Sequence, residues 1–176
     1  QLDSGSYHVD RVQLSVQQPL ENVLDALSGK AQSKNMELIQ NWTPQHQVWG
    51  DERACTQVIS NFLDNAIKYT PENGTIIIRS IESADSIRIE VEDNGSGIEP
   101  HHHHRLFERF YRVDTGRSRQ LGGTGLGLSI VKHLALSMGG IVGMHSAQPH
   151  GSVFWIELPN ANVEYKSLSD SGENLI

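Results

Sequence analysis

From residue 51 to residue 70 the apolar positions Cys55, Val58, Ile59, Phe62, Leu63, Ala66 and Ile67 fall at the i, i+3, i+4, i+7 spacing of a helix packed on one side, with Asp51 placed to cap its start. Residues 18–35 repeat the pattern with Leu20, Val23, Leu24 and Leu27 as a buried face and Gly29 as a weak point. A third helix follows Gly127, with Ile130, Val131, Leu134, Ala135 and Met138 on its buried side and Gly139-Gly140 as its stop. Between the helices the period changes to two. Residues 76–81 and 86–92 alternate apolar and polar around Ala84-Asp85 and read as a hairpin, after a turn at Pro71-Glu72-Asn73-Gly74. Residues 141–145 and 152–158 read as a second hairpin, closed by Pro159. Shorter strands are expected over 7–14, 36–41 and 47–50. Helices alternating with hairpins predict an α/β fold, a two-layer sandwich with a mixed sheet on one side and helices covering the other.

Composition narrows this to one domain with a real core, since the chain has 176 residues. A formal charge of −7 argues against nucleic acid as a partner, because phosphate backbones require a basic face. Arg105, Arg109, Arg112, Arg117 and Arg119 are a local exception. The single Cys55 lies on an apolar helix face, excludes an internal disulfide and suits a reducing cytosol. No apolar run approaches the roughly 20 residues that span a bilayer. Residues 99–121 carry several Arg and His and no strand pattern, with one short helical pattern over 106–111; a connection of that length and polarity reads as a functional lid. Residues 160–176 contain three Ser, three acids and few large apolar groups, and read as a disordered tail.

Three segments carry chemistry. On the 51–70 helix, Asn61, Asn65 and Lys68 lie within about 60° of one another around the axis and form a polar stripe, two amides and an ammonium, suited to a magnesium-bound triphosphate. The alternative is a solvated face with an Asp64–Lys68 pair. The strand over 86–92 runs into Asp93-Asn94-Gly95-Ser96-Gly97-Ile98. A carboxylate at a strand end can accept from an exocyclic amine, and Gly95 and Gly97 let the backbone approach a flat base; the alternative is an ordinary Asp-Asn-Gly turn. Gly122 to Gly127 form a glycine loop that flows into the third helix, whose free N–H groups and dipole favour phosphate. There is no Gly-Lys-Ser/Thr, and the glycine spacing is not G-x-G-x-x-G, so neither a Walker loop nor a dinucleotide motif is present.

In order and spacing, NFLDNAIKYT, DNGSGI, FERFYR and GGTGLGLSIVK resemble the N box, first glycine box, F box and second glycine box of the ATP-binding domain of sensor histidine kinases. That domain has the Bergerat-type fold shared with gyrase, heat-shock protein 90 and MutL, and the match spans residues 8–159. The segment FERFYRVDTGRSRQLGGTGLGLSIVKH is similar to the phosphate-sensor PhoR-like group. The resemblance implies ATP and Mg²⁺ as cofactors, with Asn65 ligating Mg²⁺, Asn61 and Lys68 at the phosphates, and Tyr69 near the adenine. It implies Asp93 on the adenine amine, with Gly95, Gly97 and Ile98 shaping that pocket. Gly123, Thr124, Gly125, Leu126 and Gly127 would cradle the phosphates. Phe107 and Phe110 would anchor the lid, from which Arg112, Arg117 and Arg119 reach the phosphate tail, and Ser152 would line the wall.

The resemblance further implies a protein-histidine kinase whose acceptor histidine, on a dimerisation domain, passes the phosphoryl group to a response regulator. The hydrolysing relatives carry a Glu four residues before the magnesium-binding Asn. Here that residue is Asn61, and a carboxamide cannot take a proton from water. A phosphoryl donor is expected, with an ATP-hydrolysing relative as the alternative. None of the nine histidines has the acceptor's context. Residues 1–6 resemble the end of a dimerisation helix, residues 7–159 the catalytic domain. The expectation is a cytoplasmic, monomeric piece of a homodimeric parent that can be membrane-anchored, only weakly active without its acceptor helices. His101 to His104 are expected on a solvated lid face, since neighbouring helical residues point apart, with adventitious Ni²⁺ or Zn²⁺ affinity as the alternative.

Overall fold

The computed structural model describes residues 8–113 and 125–162. Expectations for residues 1–7, 114–124 and 163–176, including Arg117, Arg119, Gly123 and Thr124, lie outside them. The elements run β1 (Val12–Ser15), α1 (Gln17–Ser33), β2 (Glu37–Asn41), β3 (Gln47–Gly50), α2 (Glu52–Tyr69), β4 (Thr75–Glu82), β5 (Ser86–Asp93), α3 (Pro100–His103), α4 (Gly127–Ser137), β6 (Ile141–Ser146) and β7 (Ser152–Pro159). Five strands form one mixed sheet in the order β2-β4-β5-β7-β6, with β2 parallel to β4 and the other pairs antiparallel; β1 and β3 form a separate antiparallel pair. Both expected hairpins are present, and the two-layer α/β sandwich with a mixed sheet stands.

Alternation along β5 and β7 decides which face is covered. Ile87, Ile89 and Val91 on β5 and Phe154, Ile156 and Leu158 on β7 are buried toward the helices. The opposite face carries Arg79, Arg88, Glu90, Trp155 and Glu157, where Arg88 Nη2 meets Glu157 at 2.8 Å and its guanidinium stacks 4.0 Å from the Trp155 ring. The helix layer supplies Phe62, Ile59, Leu63, Leu20 and Met138, all almost fully buried. Removing a large side chain here would cost about 2–5 kcal/mol. Cys55 belongs to this core, its thiol pushed up to about 12 by burial first and by the charge of Asp51 second.

The helix ends are explained locally. Asp51 caps α2 by accepting from Ala54 N–H at 2.9 Å. At the other end Lys34 donates to the carbonyls of Ile67 and Thr70, placing a cation where the helix dipole is negative. α1 stops at Ser33 because Asn35 adopts φ +51.

Four expectations are corrected. The first strand begins at Val12, not residue 7, because its partner β3 offers only four residues. Ile130 is 41% exposed; it lies about 90° from the centre of the buried stripe of Val131, Leu134, Ala135 and Met138. The helical turn of the lid is Pro100–His103 rather than 106–111, where Phe110 at φ +62 is incompatible with a helix. Residues 160–162, expected in the tail, are held: Asn160 is buried, bridges Val48 and donates its N–H to Asp85, and Ala161 N–H donates to Gln47.

Candidate nucleotide site

The period that buries Ile87, Ile89 and Val91 places Asp93 on the same, helix-facing side at the very end of β5. One Asp93 oxygen accepts Gly95 N–H at 2.9 Å, and Ser152 is its register partner on β7, itself buried. The buried Thr70 hydroxyl lies against the same region and closes no hydrogen bond of ordinary geometry among the described residues. Burial pushes the Asp93 carboxyl above its usual range, against the N–H groups of Gly95 and Ser152 and the Thr70 hydroxyl, which favour the ionised form. The result is a desolvated acceptor with spare capacity, chemically matched to an amine donor.

Glycines make this corner possible. Gly97 has φ +78, and Gly151 has φ +113 with the Asp93 carbonyl so close that an added Cβ would lie 1.9 Å from it. A Cβ on Gly95 would meet Asp93 Oδ1 at 3.0 Å and the Tyr69 carbonyl at 3.2 Å. Ile98 is half-buried against the core, and Tyr69 at the end of α2 is half-exposed. His150 Nδ1 bonds the Gly95 carbonyl at 2.9 Å.

On α2 the stripe of Asn61, Asn65 and Lys68 is half-buried. Asn61 donates to the Gln57 carbonyl at 2.9 Å and turns its Oδ1 toward the first turn of α4, where a Cβ on Gly127 would lie 2.6 Å away. The glycine at 127 therefore lets the two helices bring a carboxamide and free helix-start N–H groups together. Asn65's carboxamide makes no hydrogen bond among the described residues and is open to a ligand, a neutral oxygen donor of the kind a hard cation accepts. Lys68 pairs with Asp64 at 3.0 Å, and Lys30 approaches the same carboxylate at 3.2 Å. Burial raises the Asp64 carboxyl, but the hydrogen bonds and charges of Lys68 and Lys30 prevail and hold it below its usual value.

The F-box segment joins the two glycine segments. Phe107 packs edge-on against Phe154 at 6.5 Å, and Phe154 contacts Phe62 of α2. Phe110 N–H donates to the Gly125 carbonyl at 2.9 Å, and Gly125, at φ +74, leaves no room for a Cβ beside Phe110. Phe110 itself is 69% exposed. Leu126 precedes α4 and its carbonyl accepts from Ser129 Oγ at 2.8 Å. Arg112 holds a buried guanidinium nitrogen with no hydrogen-bond partner among the described residues.

Of the expected residues, Asp93, Gly95, Gly97, Ile98, Tyr69 and Ser152 thus gather at the end of β5, and Asn61, Gly127, Leu126 and Gly125 at the α2–α4 junction. Sequence reasoning passed over Thr70, His150 and Gly151. Thr70 follows Tyr69 directly and was within reach of the pattern; His150 meets Gly95, and Gly151 meets Asp93, only through the β5–β7 register.

Residues 50–162 match the family model described as histidine kinase-, DNA gyrase B-, and HSP90-like ATPase. The chain is 37% identical over 169 residues to the sensory/regulatory protein RpfC of Xanthomonas campestris pv. campestris, covering 91% of this chain and 23% of that protein. It is 34% identical over 162 residues to the phosphate regulon sensor protein PhoR of Pseudomonas aeruginosa, covering 92% and 37%. Among solved structures, full-length ShkA in complex with AMPPNP superposes with a TM-score of 0.74 at 31% identity, over 87% of this chain and 32% of that one. The chain therefore spans well under half the length of these relatives. No helix among the described residues is long and apolar enough to cross a membrane.

Proposed function

The chain belongs to the histidine kinase-, DNA gyrase B-, and HSP90-like ATPase family, and from that membership we propose that it is the ATP-binding catalytic domain of a two-component sensor histidine kinase. It binds ATP with Mg²⁺ and donates the γ-phosphoryl group to a histidine on a dimerisation domain, for onward transfer to a response-regulator aspartate. Asp93 accepts from the adenine amine, with Gly95, Gly97, Ile98, Tyr69 and Ser152 as the pocket around the base. Asn65 would hold Mg²⁺, which would supply Lewis-acid screening of the phosphate charge. Asn61, Lys68, Arg112 and the segment Gly123, Thr124, Gly125, Leu126 and Gly127 hold the phosphate tail, with helix-start N–H groups stabilising charge as it develops. Phe107 anchors the lid.

The observation that carries the choice of acceptor is Asn61. Its carboxamide sits at the α2–α4 junction where hydrolysing members of the family use a carboxylate, and the neighbouring Asp64 is engaged by Lys68 and Lys30. Among the described residues, no free carboxylate stands beside Asn61 to serve water as a general base. An acceptor tethered in the parent chain supplies the nucleophile at high effective concentration. The parent is read as a homodimer, this piece as a cytoplasmic monomer.

The test is label transfer from γ-labelled Mg-ATP with and without the acceptor helices of the parent chain. Acid-labile label on those helices is the expected result. Free phosphate with no labelled helix would favour the hydrolysing alternative.

A further inference from the structure

The histidine run at 101–104 is solvated at His101 and His104, as expected, but α3 is only one turn long and Glu99 lies outside it. With φ −61 and ψ 140, Glu99 leaves the helix in extended geometry, and its carboxylate folds back to 3.2 Å from His101 Nδ1. The His101 and His102 rings lie with centroids 3.9 Å apart. One ligand atom each from Glu99, His101 and His102 falls within 4.8 Å of the other two.

Zinc bonds to nitrogen and oxygen of about 2.0–2.2 Å require tetrahedral ligand atoms roughly 3.3–3.6 Å apart. The Glu99–His101 edge is already that short, and rotation of exposed side chains closes the rest. The surroundings orient the donors. Tyr111 Oη bonds His102 Nδ1, and the Arg105 guanidinium lies 4.3 Å from the Tyr111 ring, which fixes the phenol. With Nδ1 donating to the phenol oxygen, His102 Nε2 keeps its lone pair for a metal, the arrangement by which a partner group sets a ligating imidazole's tautomer. His103 Nε2 bonds the Ile98 carbonyl at 2.8 Å and pins the turn to the end of the first glycine segment.

We propose that Glu99, His101 and His102 form a three-ligand site for a borderline divalent cation, Zn²⁺ or Ni²⁺, completed by water, with Tyr111 as a positioning residue. Two imidazoles and one carboxylate select such an ion over Mg²⁺, which prefers an all-oxygen shell. The site stands apart from the magnesium position assigned to Asn65 and does not depend on the chain being a kinase. Its occupant would fasten the end of the first glycine segment to the aromatic F-box segment.

The experiment titrates the tag-free chain with Zn²⁺ against a chromophoric chelator in excess Mg²⁺, and with Co²⁺ followed by its visible spectrum. One equivalent should bind, with affinity at least about a hundredfold weaker in the His101→Ala/His102→Ala variant and weaker again than wild type in Glu99→Gln. Tyr111→Phe should lower affinity about tenfold while the urea midpoint of the metal-free protein stays put. His104→Ala should bind as wild type. Absence of one-equivalent binding, retention of it in the double variant, or an equal loss in His104→Ala would overturn the proposal, the last by showing that any histidine of the run serves.

Discussion

Asp93, at the end of β5, and Asp64, on α2, are carboxylates that burial raises, yet only at Asp64 do two lysines reverse it. The contrast extends to the regions around them. At the end of β5 the site is made of backbone: Gly95, Gly97 and Gly151 press against Asp93, and the donors there are main-chain N–H groups. Along α2 it is made of side chains, with Asn65 making no hydrogen bond among the described residues and Lys68 resting on Asp64. One region is built of backbone and holds its acceptor where burial disfavours its charge; the other holds its charges in pairs that a triphosphate can exchange. Rigidity at the base end sets what is bound, and exchangeable side chains at the other end handle what is transferred.

The largest effect should come from adding one carbon to the backbone-built region. Gly151→Ala combines a left-handed φ with a Cβ driven into the Asp93 carbonyl, and should lower stability by roughly 2–5 kcal/mol; urea denaturation would read it. A wild-type midpoint would mean that this corner yields, and that rigidity does not distinguish the two regions.

Asp93→Asn separates recognition from stability. Losing a hydrogen bond to a charged acceptor costs about 1.5–3 kcal/mol, so Mg-ATP affinity by calorimetry should fall about 10–150-fold. The folded-state pKa of Asp93 lies above its unfolded value, so its ionised form opposes folding. That penalty is absent below the unfolded pKa and grows as pH rises through the folded one. The variant should therefore match wild-type stability in acid and equal or exceed it above neutrality. A loss of stability confined to neutral pH would contradict the assignment.

Gly127→Ala probes the junction of the two regions. Helix propensity favours alanine by about 1 kcal/mol, and the obstructing atom is the movable end of Asn61, so the chain should fold normally. Displacing that carboxamide should slow phosphoryl transfer about tenfold to a hundredfold, scored by initial labelling rates with the acceptor helices. The smallest effect is expected at Lys30→Ala. An exposed pair contributes up to about 1 kcal/mol. Since Asp64 has a lowered pKa, that contribution is present above its unfolded pKa and lost as pH falls through the folded one; ATP affinity should not change.

Much of this was legible in the sequence where one period governs one face. The alternation that buries Ile87, Ile89 and Val91 also aims Asp93, and the spacing of Asn61, Asn65 and Lys68 needs only helical geometry. What escaped depends on partners distant in the chain. Ile130 satisfies the helical period but sits at the margin of the stripe, where it is exposed. Gly151 matters because β7 pairs with β5 in one register, which no local pattern specifies. The histidine run shows a related limit: the spacing rule assumes a continued helix, whereas α3 ends after four residues and the Glu99 carboxylate folds back to His101.

The central claim is that this site donates phosphate without activating water. The most direct measurement is release of free phosphate from Mg-ATP by the chain alone, wild type beside Asn61→Glu. Wild type should release negligible phosphate, and Asn61→Glu, which restores a carboxylate base, should release it faster. Rapid release by wild type, abolished by Asn61→Ala, would contradict that claim.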